Sequence, residues 1–348
     1  MRHENLLEAD KFFSLTWDYL EVYIPIQHGG GENTKKSYED ALTIFRRYIS
    51  NTRNLSIRNF KFSDCTYDFI LDYRNFLSEK YKPTTVNQRV EVLKTYLHYA
   101  ALRRTEIMQI YLNISDVPHL TVPKTIRPII EEDEMLSAFL AAPSHSKIGI
   151  RDSIILLVLY DTAMRVDELV NLNLSDISLS PNKPFVHIYG KGEKERNVPI
   201  SIKSVPHFEQ YVKLYHETTE KRTTPFIYTV NKGNKTRMTT RNVERILTKY
   251  ADIIRKVYPM FPTVYPHMLR RTRATGWYRE GVPIETIAVL LGHSDIKTTR
   301  KYYAIPSVEM LRKETEKHNK AEQNPIDEEE QPLWKLGDDD LAKLCGLR

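Results

Sequence analysis

A chain of 348 residues, 41% of them hydrophobic, is long enough for about two domains and apolar enough to give each a core, which excludes wholesale disorder. No run approaches the ~20 apolar residues of a bilayer span, the N-terminus lacks the basic and apolar regions of a signal peptide, and Cys65 and Cys345 have neither metal nor disulfide spacing. A soluble, intracellular protein with no membrane partner is expected. The net charge of +6 is unevenly placed: residues 321–348 hold eight acids and three bases, a net −5, which leaves +11 on residues 1–320. A basic body with an acidic tail suggests a polyanionic partner, although many basic proteins bind no nucleic acid.

The first ordered block, about 10 to 113, has helical periodicity. Residues 34–49 space Tyr38, Leu42, Phe45 and Ile49 along one face, with Thr34 as the expected cap. A helix over 66–80 groups Phe69, Tyr73, Phe76 and Leu77. A third, over 84–102, repeats Val86, Val90, Leu93, Leu97 and Tyr99. Its other face presents Asn87, Gln88, Arg89, Lys94 and Arg103, residue types that suit phosphate and base contacts but equally suit a solvated face. Three prolines and no helical period mark 114–128 as a linker. Beyond it, 131–142 and 147–161 are apolar helices, the second buried along SIILLVLY. FVHIYG (185–190) and RNVPI (196–200) alternate on either side of GKGEKE (190–195), the only good strand signals, and predict a β-hairpin with a basic tip. Helices follow at 203–217, 239–254, 266–280, 284–291 and 294–318. An acidic, proline-containing tether, 321–332, leads to a short amphipathic patch of Leu333, Trp334, Leu336, Leu341, Leu344 and Leu347. The expected class is mainly α with a small antiparallel β-sheet, α+β.

Four stretches carry candidate chemistry: TAMRVDEL (162–169), GKGEK (190–194), HMLRR (267–271), and LGHSD with KYY (291–295 and 301–303). Phosphoryl transfer requires cations on the non-bridging oxygens, and the rigid fork of arginine suits them better than lysine. It also requires a nucleophile, a base and an acid for the leaving oxygen. Two arginines, a lysine, two histidines and a tyrosine fill those places without a metal, and no acidic cluster at metal spacing accompanies them. Singly, each residue has an ordinary reading. Arg165 and Glu168 fit an i,i+3 ion pair, Lys191 a solubilising hairpin tip, His267 a helix cap, and His293 a helix end.

Order and spacing together change that balance, because the whole set resembles the tyrosine recombinase family of phage-type integrases and Xer-like proteins over roughly 129–318, and more loosely before it. TAMRVDEL resembles T-G-L-R-x-x-E-L, VHIYGKGEKERNVPI the G-K-G-x-K-x-R-x-V-P hairpin, PHMLRRTRAT the H-x-L-R-H-T-x-A-T stretch, and VLLGHSDIKTTRKYY the L-L-G-H-S-x-x-x-T-T-x-x-Y stretch. The resemblance implies Arg165, Lys191, His267, Arg270, His293 and Tyr302 as catalytic residues, with Glu168 supporting Arg165. It implies DNA cleavage through a 3′-phosphotyrosine, with no cofactor, metal or ATP. Partners would be double-stranded recombination sites and further copies of the chain, assembled as a tetramer on two duplexes in the bacterial cytoplasm. Further candidates for DNA contact are Asn87, Arg89, Lys94, Lys194, Arg196, Arg241 and Arg245. The expected organisation is a helical core-DNA-binding domain (1–113), a linker (114–128), a catalytic domain (129–320) that forms a DNA clamp with the first, and a tether with a subunit-docking segment (321–348).

The chain departs from the family pattern in three places. Ala163 and Met164 replace Gly-Leu, expected to be a harmless packing change; Arg271 stands where histidine is frequent; and Tyr303 adjoins Tyr302, which the spacing from His293 favours. The stretch before residue 10 is too short for a separate arm-binding domain. An integrase or transposase of a mobile element is the leading expectation, with Xer-like dimer resolution as the alternative. A type IB topoisomerase, a non-catalytic regulator and a metal-dependent nuclease fit less well.

Overall fold

The computed structural model describes residues 7–27, 31–123, 127–131, 133–190, 195–217, 220–303, 311–312, 315–316, 337–339 and 343. The chain divides into two compact units, Met1–Ile126 and Arg127–Arg348. Among the described residues, no helix is long and apolar enough to cross a membrane.

Unit 1 is helical throughout. A short α1 (Thr16–Asp18) runs into a π-helical turn (Tyr19–Gln27), followed by α2 (Glu32–Arg53), α3 (Tyr67–Ser78), α4 (Pro83–Arg103) and α5 (Met108–Ser115). Helix α4 is central and packs against α2, α3 and α5. Pro83 occupies its first turn, where a missing N–H costs nothing. The expected cap Thr34 lies inside α2 instead. The N-cap is Gly31, whose extended backbone precedes Glu32, so the helix starts two residues before the expected span and runs four residues past it, to Arg53. Thr66 does cap α3, accepting from the Phe69 N–H at 3.2 Å. The core is aromatic: the rings of Phe13, Phe45, Phe60, Phe62 and Tyr96 surround Phe12 at centroid distances of 5.0–5.5 Å.

Unit 2 opens with α6 (Asp133–Ala141) and α7 (Lys147–Thr162), whose Ile154, Ile155, Leu156, Val158 and Leu159 are buried as its continuous apolar run requires. After α8 (Val166–Asn171) comes a three-stranded antiparallel sheet of β1 (Ile177–Ser178), β2 (Phe185–Tyr189) and β3 (Glu195–Pro199). The hairpin register pairs Val186 with Val198 and Ile188 with Arg196. A 3-10 turn, Ile202–Ser204, leads into α9 (Val205–Tyr215), so the helix expected at 203–217 is shorter at both ends. A second sheet that the pattern did not announce follows, β4 (Tyr228–Asn231) and β5 (Asn234–Arg237). Its turn places Lys232 and Gly233 at φ 49° and 83°, the two left-handed positions of a tight hairpin. Every residue of β5 is exposed, so no apolar alternation marks it. Then come α10 (Thr240–Arg255), α11 (Pro266–Arg279), α12 (Ile284–Leu291) and α13 (Ile296–Tyr303). The expected helix 294–318 thus begins after Asp295, whose carboxylate takes the Lys297 N–H at 2.8 Å. It is described as far as Tyr303 and again at residues 311, 312, 315 and 316. All six apolar residues of the amphipathic patch at 333–347 lie outside the described residues.

Lys94 corrects an expectation. It falls four residues after Val90 and three before Leu97, inside the apolar stripe of α4, and it is buried rather than displayed. Its ammonium donates to the carbonyls of Ser115 and Val117 at 2.9 and 2.8 Å. Asn87 likewise exchanges two hydrogen bonds with the Leu120 backbone, at 2.9 and 2.8 Å. The first part of the stretch read as a linker is therefore bound along α4. Replacing Lys94 by Met would leave two carbonyls unpaired and should lower stability by roughly 1.5–3 kcal/mol in urea titrations. The salt dependence of DNA binding should stay unchanged; a shallower salt slope would show instead that Lys94 neutralises a phosphate.

Candidate active site

Helix α8 starts at Arg165, whose backbone is extended before the first helical turn. Glu168, three residues on, reaches back: its Oε2 accepts the Arg165 N–H at 2.7 Å, and its Oε1 accepts from the Arg165 guanidinium at 3.0 Å. The same carboxylate is gripped from β3, where Arg196 donates to Oε1 and Oε2 at 3.1 and 2.8 Å. Burial alone would raise the Glu168 carboxyl. Hydrogen bonds from Arg196 and the Arg165 backbone, with both guanidinium charges, outweigh it and hold the carboxyl below its usual range.

Arg270, from the second turn of α11, is 1% exposed. Its guanidinium donates to the carbonyls of Ala163 and Leu291, both at 2.6 Å, and lies 3.2 Å from His293 Nε2. Burial and the Arg165 charge press it down to about 10, still a cation at neutral pH. Arginine can only donate, so His293 Nε2 accepts, and the ring proton sits on Nδ1, 2.8 Å from Thr299 Oγ1. Burial, then Arg270, Arg165 and Arg196, pushes His293 down to about 4.

Two departures from the family pattern acquire a physical meaning here. Ala163 caps α7 in the left-handed region at φ 49°, where a Cβ costs roughly 1–2 kcal/mol. The replacement of glycine is therefore a backbone matter, not the harmless packing change expected. Arg271 donates to the Pro128 carbonyl at 3.0 Å and to the Tyr265 hydroxyl at 2.5 Å, and so ties the first residues of unit 2 to α11.

Arg165, Glu168, Tyr189, Arg196 and His293 line one cavity of about 860 Å³. Arg270 lies behind His293. His267 lines a different cavity, of about 460 Å³, with Arg127, Tyr265 and Arg271. Partial burial and the charges of Arg270, Arg165, Arg271 and Arg127 lower its pKa, so it is neutral at neutral pH. Tyr302 is in the last turn of α13, its side chain outside the described residues. Tyr303 is buried, its ring stacked on His293 at 5.9 Å between centroids. Lys191 and Lys194 of the hairpin tip lie outside the described residues. Arg241 and Arg245 are exposed one turn apart on α10, and Arg89 lies over the Tyr81 ring at 3.7 Å. Arg196, expected on DNA, is instead 8% exposed at its side chain. The alternation Arg196, Val198, Ile200 put it on the buried face of β3, a signal legible in the sequence. Thr299, fully buried behind His293, had no such signal.

The model of the phage integrase family matches residues 129–308, and that of the phage integrase SAM-like domain matches residues 12–111. Tyrosine recombinase XerC of Staphylococcus epidermidis is 29% identical over 291 residues, covering 83% of this chain and 92% of the relative. The XerC of Staphylococcus carnosus is 29% identical over 286 residues, covering 81% and 89%. Among solved structures, the XerH recombinase bound to palindromic difH substrate, a post-cleavage complex, aligns with a TM-score of 0.64 at 18% identity, covering 86% of this chain and 83% of that one. The Tn1549 transposon integrase in complex with transposon right end DNA aligns at 0.63 and 19%, covering 86% and 98%. Both likenesses concern the fold.

The depressed His293 gives a pH prediction. In the unfolded chain this histidine takes a proton below its ordinary 6.5, whereas in the folded chain it stays neutral down to about 4. The unfolded state then binds more protons, so the stability His293 contributes is complete above about pH 6.5 and is lost as pH falls toward 4. Between pH 7 and pH 5 the loss is about 2 kcal/mol. His293→Gln should remove that part of the pH dependence in urea denaturation. Parallel pH profiles for the two proteins would contradict the assignment.

Proposed function

The chain belongs to the phage integrase family, and on that premise we propose how its residues divide the work of cutting and rejoining DNA. It is a tyrosine recombinase, a DNA strand transferase acting on double-stranded recombination sites as a homo-oligomer. The observation that carries the division is one cavity lined by Arg165 and neutral His293, with the Arg270 guanidinium held against His293 from behind and the helix that bears Tyr302 following His293 in the chain.

Tyr302 attacks the scissile phosphorus through its hydroxyl oxygen. The bond to the 5′ oxygen breaks, leaving a 3′-phosphotyrosine and a 5′-hydroxyl. A free tyrosine has a pKa of ~10, so its proton must be taken, and neutral His267 is the base. Lys191 returns a proton to the departing 5′ oxygen. Arg165, which lines the cavity, meets the charge on the pentavalent phosphate directly, and Arg270 adds its positive charge from behind His293; the donor role of His293 requires its Nε2 to leave Arg270 and carry the ring proton. The energy of the broken bond stays in the phosphotyrosine, so a 5′-hydroxyl from a second duplex reverses the step and exchanges strands without ATP. No residue role here calls for a metal. Arg89, Lys194, Arg241 and Arg245 are the proposed DNA contacts. We assign the protein to integration, excision or transposition of a mobile element in the bacterial cytoplasm. Xer-type dimer resolution is the second reading, favoured by the XerC relatives. Mapping the sites joined by purified protein, with the genes flanking its own, separates the two.

Incubation with a nicked suicide duplex in EDTA should trap a covalent adduct with the wild type and Tyr303→Phe, and none with Tyr302→Phe, which should still bind DNA. An adduct peptide that maps to Tyr303 would move the nucleophile by one residue.

The tail supplies a second test. Its apolar patch is large for a short segment left in water, and a tether of about 12 residues spans ~20 Å as a coil. We assign it to docking on a neighbouring subunit, head to tail, so that four copies close around two duplexes. Truncation after Lys320 should leave binding to one duplex intact and weaken assembly of the two-duplex complex in gel-shift assays. Unchanged assembly and recombination would make the tail an appendage.

A further inference from the structure

Arg196 is a basic residue beside the basic tip of a hairpin in a DNA-cutting enzyme, which invites a phosphate-contact role. Its surroundings contradict that. The side chain is 8% exposed, and three of its donors are spent inside the protein. Two meet both oxygens of Glu168. The third, Nε, meets the carbonyl of Leu290 at 2.9 Å. Leu290 is in the last turn of α12, where carbonyls lack helical partners and cations are favoured.

The next residues show how closely the guanidinium is fitted. Gly292 ends α12 at φ 64°, and a Cβ built there would lie 2.9 Å from Arg196 Nη1 and 3.2 Å from Cζ. Glycine is thus favoured twice at this point, for its left-handed backbone and because any Cβ would displace the arginine. His293 follows directly. Arg196 therefore joins three elements that each carry or precede a functional group: β3 leading from the hairpin tip, the start of α8 with Arg165, and the end of α12 with His293. It reaches Arg165 only through the shared Glu168, and His293 only through the backbone it pins.

We propose that Arg196 is a positioning residue of the strand-cleavage step: it holds Arg165 and His293 in common register through Glu168 and the end of α12, and makes no contact with DNA. The inference rests on the reading of Arg165 and His293 given above. It extends that reading to the hairpin, because a shift of β3 would move Glu168 and with it the Arg165 guanidinium. Displacing a reacting contact by about 1 Å can cost roughly 100-fold in rate.

The test compares wild type, Arg196→Lys and Arg196→Gln, the lysine variant serving in case the neutral one folds poorly. Two quantities are measured at a temperature where circular dichroism shows all three folded. The first is affinity for a 30-base-pair duplex of arbitrary sequence as salt is varied. The second is the single-turnover rate of adduct formation on a nicked duplex selected from a randomised library for trapping the wild type. Arg196→Gln should keep wild-type affinity and salt slope while its adduct rate falls by about 100-fold. Arg196→Lys should recover part of that rate, since one charge returns without the two-pronged geometry. A salt slope shallower by about one in Arg196→Gln would mark a phosphate contact and overturn the proposal. So would a wild-type adduct rate in both variants, or equal proportional losses in affinity and rate. If the wild type itself traps no duplex from the library, it is the proposed cleavage chemistry that fails, not the role of Arg196.

Discussion

A single carboxylate, Glu168, lies between two guanidinium groups at the centre of unit 2, and the geometry of the cleft follows from it. Taking a carboxylate out of water costs several kcal/mol, and only close, correctly aimed donors offset that. Glu168 is 6% exposed at its side chain and has them: Arg165 from its own helix start and Arg196 from a strand 28 residues further on. Such an arrangement tolerates little slack, since any separation exposes an unpaired buried charge. The pairing fixes the Arg165 guanidinium on the wall of the cavity.

The end of α12 extends the same logic. The carbonyls of Leu290 and Leu291 are taken by Arg196 and Arg270, so two buried cations complete a helix terminus that would otherwise leave acceptors unpaired. His293, the second residue after this helix, inherits its position from them. Three guanidinium groups gathered here create a positive field with one carboxylate against them. Burial comes first in disfavouring protonated imidazole at His293 and His267, and the charges of Arg270 and Arg165 add to it at both. The same positive charge favours an anion in the cavity.

Unit 1 solves a different problem with different means. Its core is built from aromatic rings packed about Phe12, and the few cations near that core serve structure: Lys94 satisfies carbonyls and Arg103 lies over the Tyr99 ring at 3.7 Å. The surface left for nucleic acid is correspondingly smaller than a count of Lys and Arg on α4 suggests. Arg89 and Gln88 remain at the rim of a cavity between α2 and α4.

Most of the helices and the β2–β3 hairpin were legible in the sequence, because apolar periodicity is local. Thr34 was misread as a cap since its residue type suits that place, yet the helix could begin earlier at Gly31. The β4–β5 hairpin was missed because its strands bury too little to alternate. Lys94 and Arg196 show the deeper limit. Both lie on buried faces that periodicity reveals, but a cation is admitted there only if acceptors from elsewhere in the chain arrive to meet it. Those acceptors, the carbonyls of Ser115, Val117 and Leu290 and the carboxylate of Glu168, are brought by packing. Sequence thus determined which groups the protein owns and the order in which it presents them. Tertiary structure alone decided which cations face a substrate and which are consumed inside, because desolvation makes that choice depend on partners distant in the chain.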